Sequence, residues 1–516
     1  MQSARFDIAI VGSGFAGSLM AMICQRLGRS VVLLERGKHP RFTIGESSTP
    51  LTNLMLEELS TRYNLPALTP LAKWGTWQQE YPSIACGLKR GFSFFHHRLG
   101  ESDAYDPGRE SQLLVAASPN DRIADTHWYR PDFDQLLVNQ AQKIGITYLD
   151  ELNLTHTSER DDEIRLEGVR YGNHLCIHAG FVIDATGPRG FLNRALNLGE
   201  QPIPDFPDTQ ALYAHFTGVG RWADLQEHTS EVPPYPVDAA AVHHVFDGGW
   251  IWVLQFNNGV TSAGVAATDE ASKRLHLEEG ESAWHRLLGL IPKLQRQFEN
   301  ARPIRPFTNI PRLSFKTAAS VGKRWVLLPS AAGFVDPLFS TGFPLTLLGI
   351  GRLAENIQHY WNTDEFPARV RCSASKSEEE LLAAGRLIGS LYARMGDFPA
   401  FISLSFLYFT SVIFSETVRR LGKPEMASSF LLYDHPHFGH RCQELLGQAR
   451  QLSTDSSRLC EDILKLIEPL NLAGLGDSNR RNWYSVDARD LFESAYKVAA
   501  SNDDIAALLE RSGFDA

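Results

Sequence analysis

The sequence predicts an α/β protein in which a parallel sheet is interleaved with an antiparallel one and followed by a helical C-terminal region. Three observations carry this expectation. Residues 6–34 give strand, helix and strand signals in one short unit; residues 208–268 alternate through four strand-like runs; and from about residue 343 the apolar spacing is almost wholly helical.

Taken in order, "FDIAIV" at 6–11 is a short apolar strand, "GSGFAGS" opens a helix that ends near "LGRS", and "VVLLE" is a second buried strand. In "RPDFDQLLVNQAQKIG", Phe133, Leu136, Leu137, Ala141 and Ile144 share one helical face, and Pro131 suits the first turn. "GFVIDATG" at 180–187 is a further strand ending in a small-residue turn. The runs "ALYAHFTGV", "AAVHHVF", "GWIWVLQF" and "VTSAGVAA" read as an antiparallel sheet, a separate layer facing a substrate. Alternation puts Trp250 and Trp252 on one face of it. "LTLLGIGRLAENIQHYW", "EEELLAAGRLIGSLYARM" and "SRLCEDILKLIEPLN" are helices, with no repeat period.

A chain of 516 residues exceeds one ordinary core. The expected division is residues 1–355, a nucleotide-binding domain with the second sheet interleaved at about 75–125 and 205–320, and residues 356–516, a helical domain. A net charge of -10 argues against nucleic acid or an anionic membrane as the partner. Six cysteines without a CxxC pair fit neither a zinc site nor a disulfide framework, so no metal is expected and reduced thiols in a cytoplasmic protein are. The apolar N-terminal run carries a glycine motif and lacks a basic leader, and reads as structure. "AFISLSFLYFTSVIF" at 400–414 is shorter than the ~20 apolar residues of a spanning helix and reads as a buried one, with no integral membrane segment.

Gly12, Gly14 and Gly17 form GxGxxG directly between a strand and a helix, the context in which the pattern points to a dinucleotide. Glu35 ends the next strand, where a carboxylate accepts hydrogen bonds from ribose hydroxyls and repels a 2'-phosphate. The fingerprint occurs once, so a second site for a nicotinamide donor is not expected. "RFTIGESSTP" at 41–50 passes on chemistry alone as a capped loop. In "CGLKRGFSFF", one continuous strand would set Leu88, Arg90, Phe92 and Phe94 on one face and Lys89, Gly91 and Ser93 on the other. Lys89 is then either a solvated edge lysine or a functional group with small neighbours. The helix starting at Ser340, Thr341 and Gly342 is either simply capped or an anion site built from its free N–H groups.

In order along the chain, GxGxxG, Glu35, "IGESSTP", the Lys89 strand, "RPDFDQLL", "FVIDATG", the WxW pair and "GFVDPLFSTG" resemble the flavin-dependent halogenases. More broadly they resemble flavoprotein monooxygenases of the p-hydroxybenzoate hydroxylase type, over roughly residues 6–355. The resemblance implies a Rossmann-like FAD-binding domain and bound FADH2 supplied by a separate flavin reductase. It also implies chemistry with oxygen through a flavin hydroperoxide that turns chloride or bromide into hypohalous acid. Carried over residue by residue, it makes Lys89 the catalytic group that relays hypohalous acid and Thr341–Gly342 the halide site. Trp250, Trp252 and Phe339 become the barrier between substrate and flavin. Cofactor contacts fall to Gly12, Gly14, Ala16, Gly17, Glu35, Arg36, Glu46, Ser47, Ser48, Arg130 and Asp336. Phe339 stands where tryptophan halogenases hold glutamate, and Leu254–Gln255 replaces the Ile-Pro of WxWxIP; the first departure points to the branch acting on phenols, pyrroles or carrier-tethered aromatic substrates. The alternative is a monooxygenase or dehydrogenase of the same fold acting without halide.

Overall fold

The computed structural model describes residues 2–101, 106–160, 162–226 and 231–514. The first sheet is built as the hydrophobic runs dictate. Strand Gln2–Val11 lies between Val31–Leu34 and Asn173–Asp184, parallel to both, with Thr147–Leu149 and Trp325–Leu327 extending the parallel part. Ile164–Arg170 and Leu152–Glu159 close the other side antiparallel. Helices Phe15–Arg26 and Arg130–Lys143 pack together on one face, the second with its proline in the first turn. Parallel strands buried on both sides need apolar residues at every position, and Val31–Leu34 is fully buried.

The second sheet runs Thr209–Thr217, Val260–Thr268, Gly249–Gln255 and Ala241–Phe246 antiparallel, as the alternation predicts. It continues through Gly91–His96, parallel to Ala241–Phe246, and Gln112–Ala116, and ends on Trp483–Tyr484. That last strand is the exception within the C-terminal third, which reads in sequence as almost wholly helical. Two residues are too short to show a period.

One further departure concerns residues 86–95, which are not a single strand. Cys86–Lys89 pairs with Asp125–Trp128 in its own two-stranded sheet, and Gly91–His96 joins the large one. Between them the Arg90 N–H bonds Ala239 and its guanidinium holds Ser118 and Asp121. The break resets the alternation, so Lys89 shares a side with Phe92 instead of opposing it, its Nζ lying 3.9 Å from the ring centre.

Helix Phe398–Arg420 is long and apolar enough to cross a membrane, yet 89% of its apolar window is buried inside the protein. Its Phe401, Tyr408 and Phe409 pack on Phe92 and Phe94 of the second sheet. A helix apolar on all sides belongs in a core, and one continuous hydrophobic cluster joins it to Ile8, Ile10 and Trp250.

Candidate functional site

The glycine motif is explained by close approach. Gly12 has φ +99°, and a Cβ there would lie 2.6 Å from the Ala185 carbonyl oxygen. A Cβ on Gly17 would lie 1.8 Å from Gly12 O, so helix and strand meet only because both positions are glycine. Gly14 instead lines the cavity, where the guanidinium nitrogens of Arg130 and Arg41 each stand 3.5 Å, and Asp134 Oδ2 3.7 Å, from where its Cβ would be. Two cations at a helix start make an anion cradle.

Glu35 closes this end. Its Oε2 accepts from Ser13 N and Oγ at 3.0 and 2.9 Å, and its Oε1 from Gly37 N at 2.9 Å. Burial pushes the carboxyl up, but Arg41 and those N–H groups outweigh it and hold Glu35 below the usual carboxylate range. Arg36 is exposed and, like Glu35, absent from the cavity wall. The neighbouring cation is Arg41, 3.5 Å from Glu35, which sequence reasoning passed over inside "RFTIGESSTP".

From here a cavity of about 340 Å³ runs between the two sheets. Gly14, Ala16 and Arg130 line its first end; Glu46 and Ser47 line its flank. Arg130 is buried and locked, bidentate on Asp134 at 2.8 and 2.9 Å and donating to the Gly45 carbonyl at 2.7 Å. Glu46 Oε1 is 2.7 Å from His215 Nε2, a buried contact that ties the loop to the second sheet. Ser48 is the exception in this loop. Its Oγ donates to the Thr126 carbonyl at 2.8 Å, outside the cavity wall, so Ser48 anchors the loop and is not placed to touch a cofactor.

At the far end stand Trp250, Trp252, Asp336, Thr341 and Gly342. The tryptophans share one face, ring centres 5.7 Å apart. Trp250 Nε1–H points to Asp336 Oδ1 at 3.3 Å and to Tyr392 Oη at 3.1 Å, and Tyr392 donates to Asp336 Oδ2 at 2.9 Å. Burial pushes Asp336 up to about 6, against the donors around it. Asp336 thus fixes Trp250 as well as bordering the cavity. Phe339 and Ser340 have φ +61° and +56° just before helix Gly342–Tyr360, whose Thr341 cap makes no side-chain hydrogen bond. Two successive non-glycine residues held left-handed, at about 1–2 kcal/mol each, turn the helix start with its free N–H groups against the cavity. Phe339 itself lies outside the cavity wall, fully buried and stacked on Tyr408 at 4.2 Å, so it braces the lysine side of the site and does not form the barrier with the tryptophans.

Lys89 is fully buried, against the reading of an exposed edge lysine. Its Nζ donates to Ser47 Oγ at 2.9 Å and to the Ser48 carbonyl at 2.5 Å. Ser47 lines the cavity, so one side chain separates Lys89 from it. Opposite in the sheet register is Asp125, which accepts from Asn53 at 2.7 Å. Burial pushes the Lys89 ammonium down, opposed by Asp125, and pushes Asp125 up, opposed by Lys89. Burial and the lysine charge also push His127 and His243 down to about 3. Burial thus draws Lys89 toward its neutral form, the one with a free lone pair, and Asp125 opposes that shift. Asp125, Asn53 and His243 carried no sequence signal, because their neighbours in space are far away in the chain.

The residues present suit an adenine dinucleotide: a glycine cradle, two guanidinium groups beside it, a carboxylate beyond, and an open helix start at the other end. A family model described as "Tryptophan halogenase" matches residues 126–376, and one described as "NAD(P)-binding Rossmann-like domain" matches residues 10–58. Monodechloroaminopyrrolnitrin halogenase PrnC of Pseudomonas fluorescens is 29% identical, covering 86% of this chain and 79% of its own. Tetracycline 7-halogenase of Kitasatospora aureofaciens is 28% identical over 77% and 72%. The crystal structure of halogenase PltM in complex with phloroglucinol and FAD superimposes with a TM-score of 0.83 at 24% identity, covering 92% of this chain and 99% of that one.

Proposed function

The chain belongs to the flavin-dependent halogenases, and from that premise we propose that it adds chloride or bromide to an electron-rich phenolic, pyrrolic or carrier-tethered ring, with Lys89 as the relay. FADH2, delivered by a separate reductase, supplies with oxygen the oxidising power that converts halide to hypohalous acid. Gly14, Arg130 and Arg41 are placed to hold the pyrophosphate, Glu35 the ribose, and the free N–H groups at Thr341–Gly342 the halide. Trp250 and Trp252 wall the cavity so that a small oxidant leaves it and a ring does not enter. Lys89 receives hypohalous acid past Ser47. As a neutral amine it accepts a hydrogen bond from the acid, and as ammonium it donates one to the oxygen that departs. The ring carbon bonds the halogen, the ring proton and hydroxide leave as water, and the lysine is unchanged.

The observation that carries the proposal is the buried Lys89 Nζ one serine away from the cavity. Purified protein with reductase, oxygen and bromide should brominate an electron-rich aromatic substrate. Lys89→Ala should abolish this while binding FAD as before. Halogenation retained by that variant overturns the role of Lys89, and turnover independent of halide favours a monooxygenase instead.

A further inference from the structure

The antiparallel side of the first sheet carries a cluster that the flavin site does not use. Cys176 and His178 are two residues apart on strand Asn173–Asp184 and so share a face, with Arg165 of the neighbouring strand opposite His178 in register. Cys176 Sγ lies 3.4 Å from His178 Nε2, and His178 Nδ1 lies 3.0 Å from Glu163 Oε1. Glu163 Oε1 also accepts from Arg165 Nε at 2.9 Å. Arg165 first, and His178 after it, hold Glu163 below the usual carboxylate range. None of the three residues Cys176, His178 and Glu163 lines the large cavity.

An ionised carboxylate only accepts, so His178 carries its proton on Nδ1 and presents the Nε2 lone pair to the thiol. Thiol, base and orienting acid thus stand in the order that activates a nucleophile. The other charged or titratable groups on this face are Glu167 opposite Cys176, His156 paired with Glu167, His174 two residues before Cys176, and Arg5 beside His178 on strand Gln2–Val11. Glu167 opposes a thiolate here, whereas Arg5 and Arg165 favour one. Cys176 is 7% exposed and His178 is partly exposed. So covered a thiol suits a reagent of a few atoms and not a bulky disulfide.

We propose that Cys176 is an oxidation site, a thiol that His178 deprotonates and that a peroxide converts to sulfenic acid. The thiol proton passes to His178 Nε2, and the sulfur attacks one peroxide oxygen. An S–O bond forms, the O–O bond breaks, and the sulfur gives up two electrons to the peroxide. The departing hydroxide takes the proton from Nε2 and leaves as water. Glu163 is a positioning residue that holds the imidazole in its tautomer. The site needs only hydrogen peroxide, so it stands apart from the halogenase reading.

The test is exposure of the FAD-loaded protein to hydrogen peroxide at neutral pH, then denaturation in dimedone and mass spectrometry of each cysteine peptide. Cys176 should be oxidised at least about tenfold faster than Cys372, which is exposed and has no imidazole bonded to it among the described residues. His178→Gln should slow Cys176 about tenfold and raise the pH of half-maximal rate by about one unit, with Cys372 unchanged. Glu163→Gln, which keeps the shape and removes the charge, should lie between the two. Retained flavin absorbance and an unreactive Cys86, whose buried thiol is pushed up to about 12, report that each variant is folded. Cys176 no faster than Cys372 in wild type overturns the site. A His178→Gln protein with the wild-type rate and pH profile overturns the imidazole's part, and a wild-type profile for Glu163→Gln overturns the positioning role.

Discussion

The cofactor end of the large cavity and the chamber around Lys89 are built in opposite ways. The first is mostly local: Gly12, Gly14, Gly17 and Glu35 lie within one strand–helix–strand unit whose close backbone contacts shape it, and only Arg41 and Arg130 join from outside that unit. The second is assembled from the loop at Ser47, the strands at Lys89, Asp125 and His243, and helix Phe398–Arg420. Its chemistry is set by desolvation. The difference teaches that binding and reactivity can be lost separately.

The largest expected effect breaks the first region only. Gly17→Val drives a side chain into the Gly12 carbonyl, and overpacking at a backbone contact should lower flavin affinity by ~100-fold. Retention of flavin, read from its absorbance after gel filtration, should fall while the fold, read by circular dichroism, persists. Next, Glu35→Ala removes an acceptor used four times and should weaken flavin binding about tenfold, measured by fluorescence quenching, without moving the turnover of enzyme that has bound it.

The second region is sharpened by acid. His127 and His243 titrate near 3 when folded and near the ordinary 6.5 when unfolded. Their stabilisation is therefore full above 6.5 and is lost as pH falls from there toward 3. Each contributes a slope of about 1.4 kcal/mol per pH unit in that window. His243→Gln should flatten the fall in unfolding free energy between pH 6.5 and 5 by about that much; an unchanged slope in denaturant titrations sinks the assignment. The smallest effect is expected for Trp252→Phe, which forfeits one 3.3 Å hydrogen bond to Ser262 and should cost about 1 kcal/mol of stability, with flavin affinity unchanged.

Much of the architecture was legible. The strand–helix–strand start, the helix at Arg130, the four antiparallel runs and the shared face of Trp250 and Trp252 all follow from periodicity and glycine placement. Where the reading failed, a non-local contact intervened. Arg36 and Arg41 are equivalent on paper, and only the path of the loop chooses Arg41. Ser47 and Ser48 are adjacent and identical, yet one faces the cavity and the other bonds Thr126. Phe339 is placed in the barrier by the family resemblance alone, whereas its ring stacks on Tyr408.

By itself, the sequence determined the resemblance to flavin-dependent halogenases, the dinucleotide cradle and the two-sheet plan, because each rests on residues a few positions apart whose backbone requirements are met locally. Only the tertiary structure decided that Lys89 is buried and that Asp125 faces it, because desolvation sums over every segment packed around a group and no stretch of sequence contains that sum.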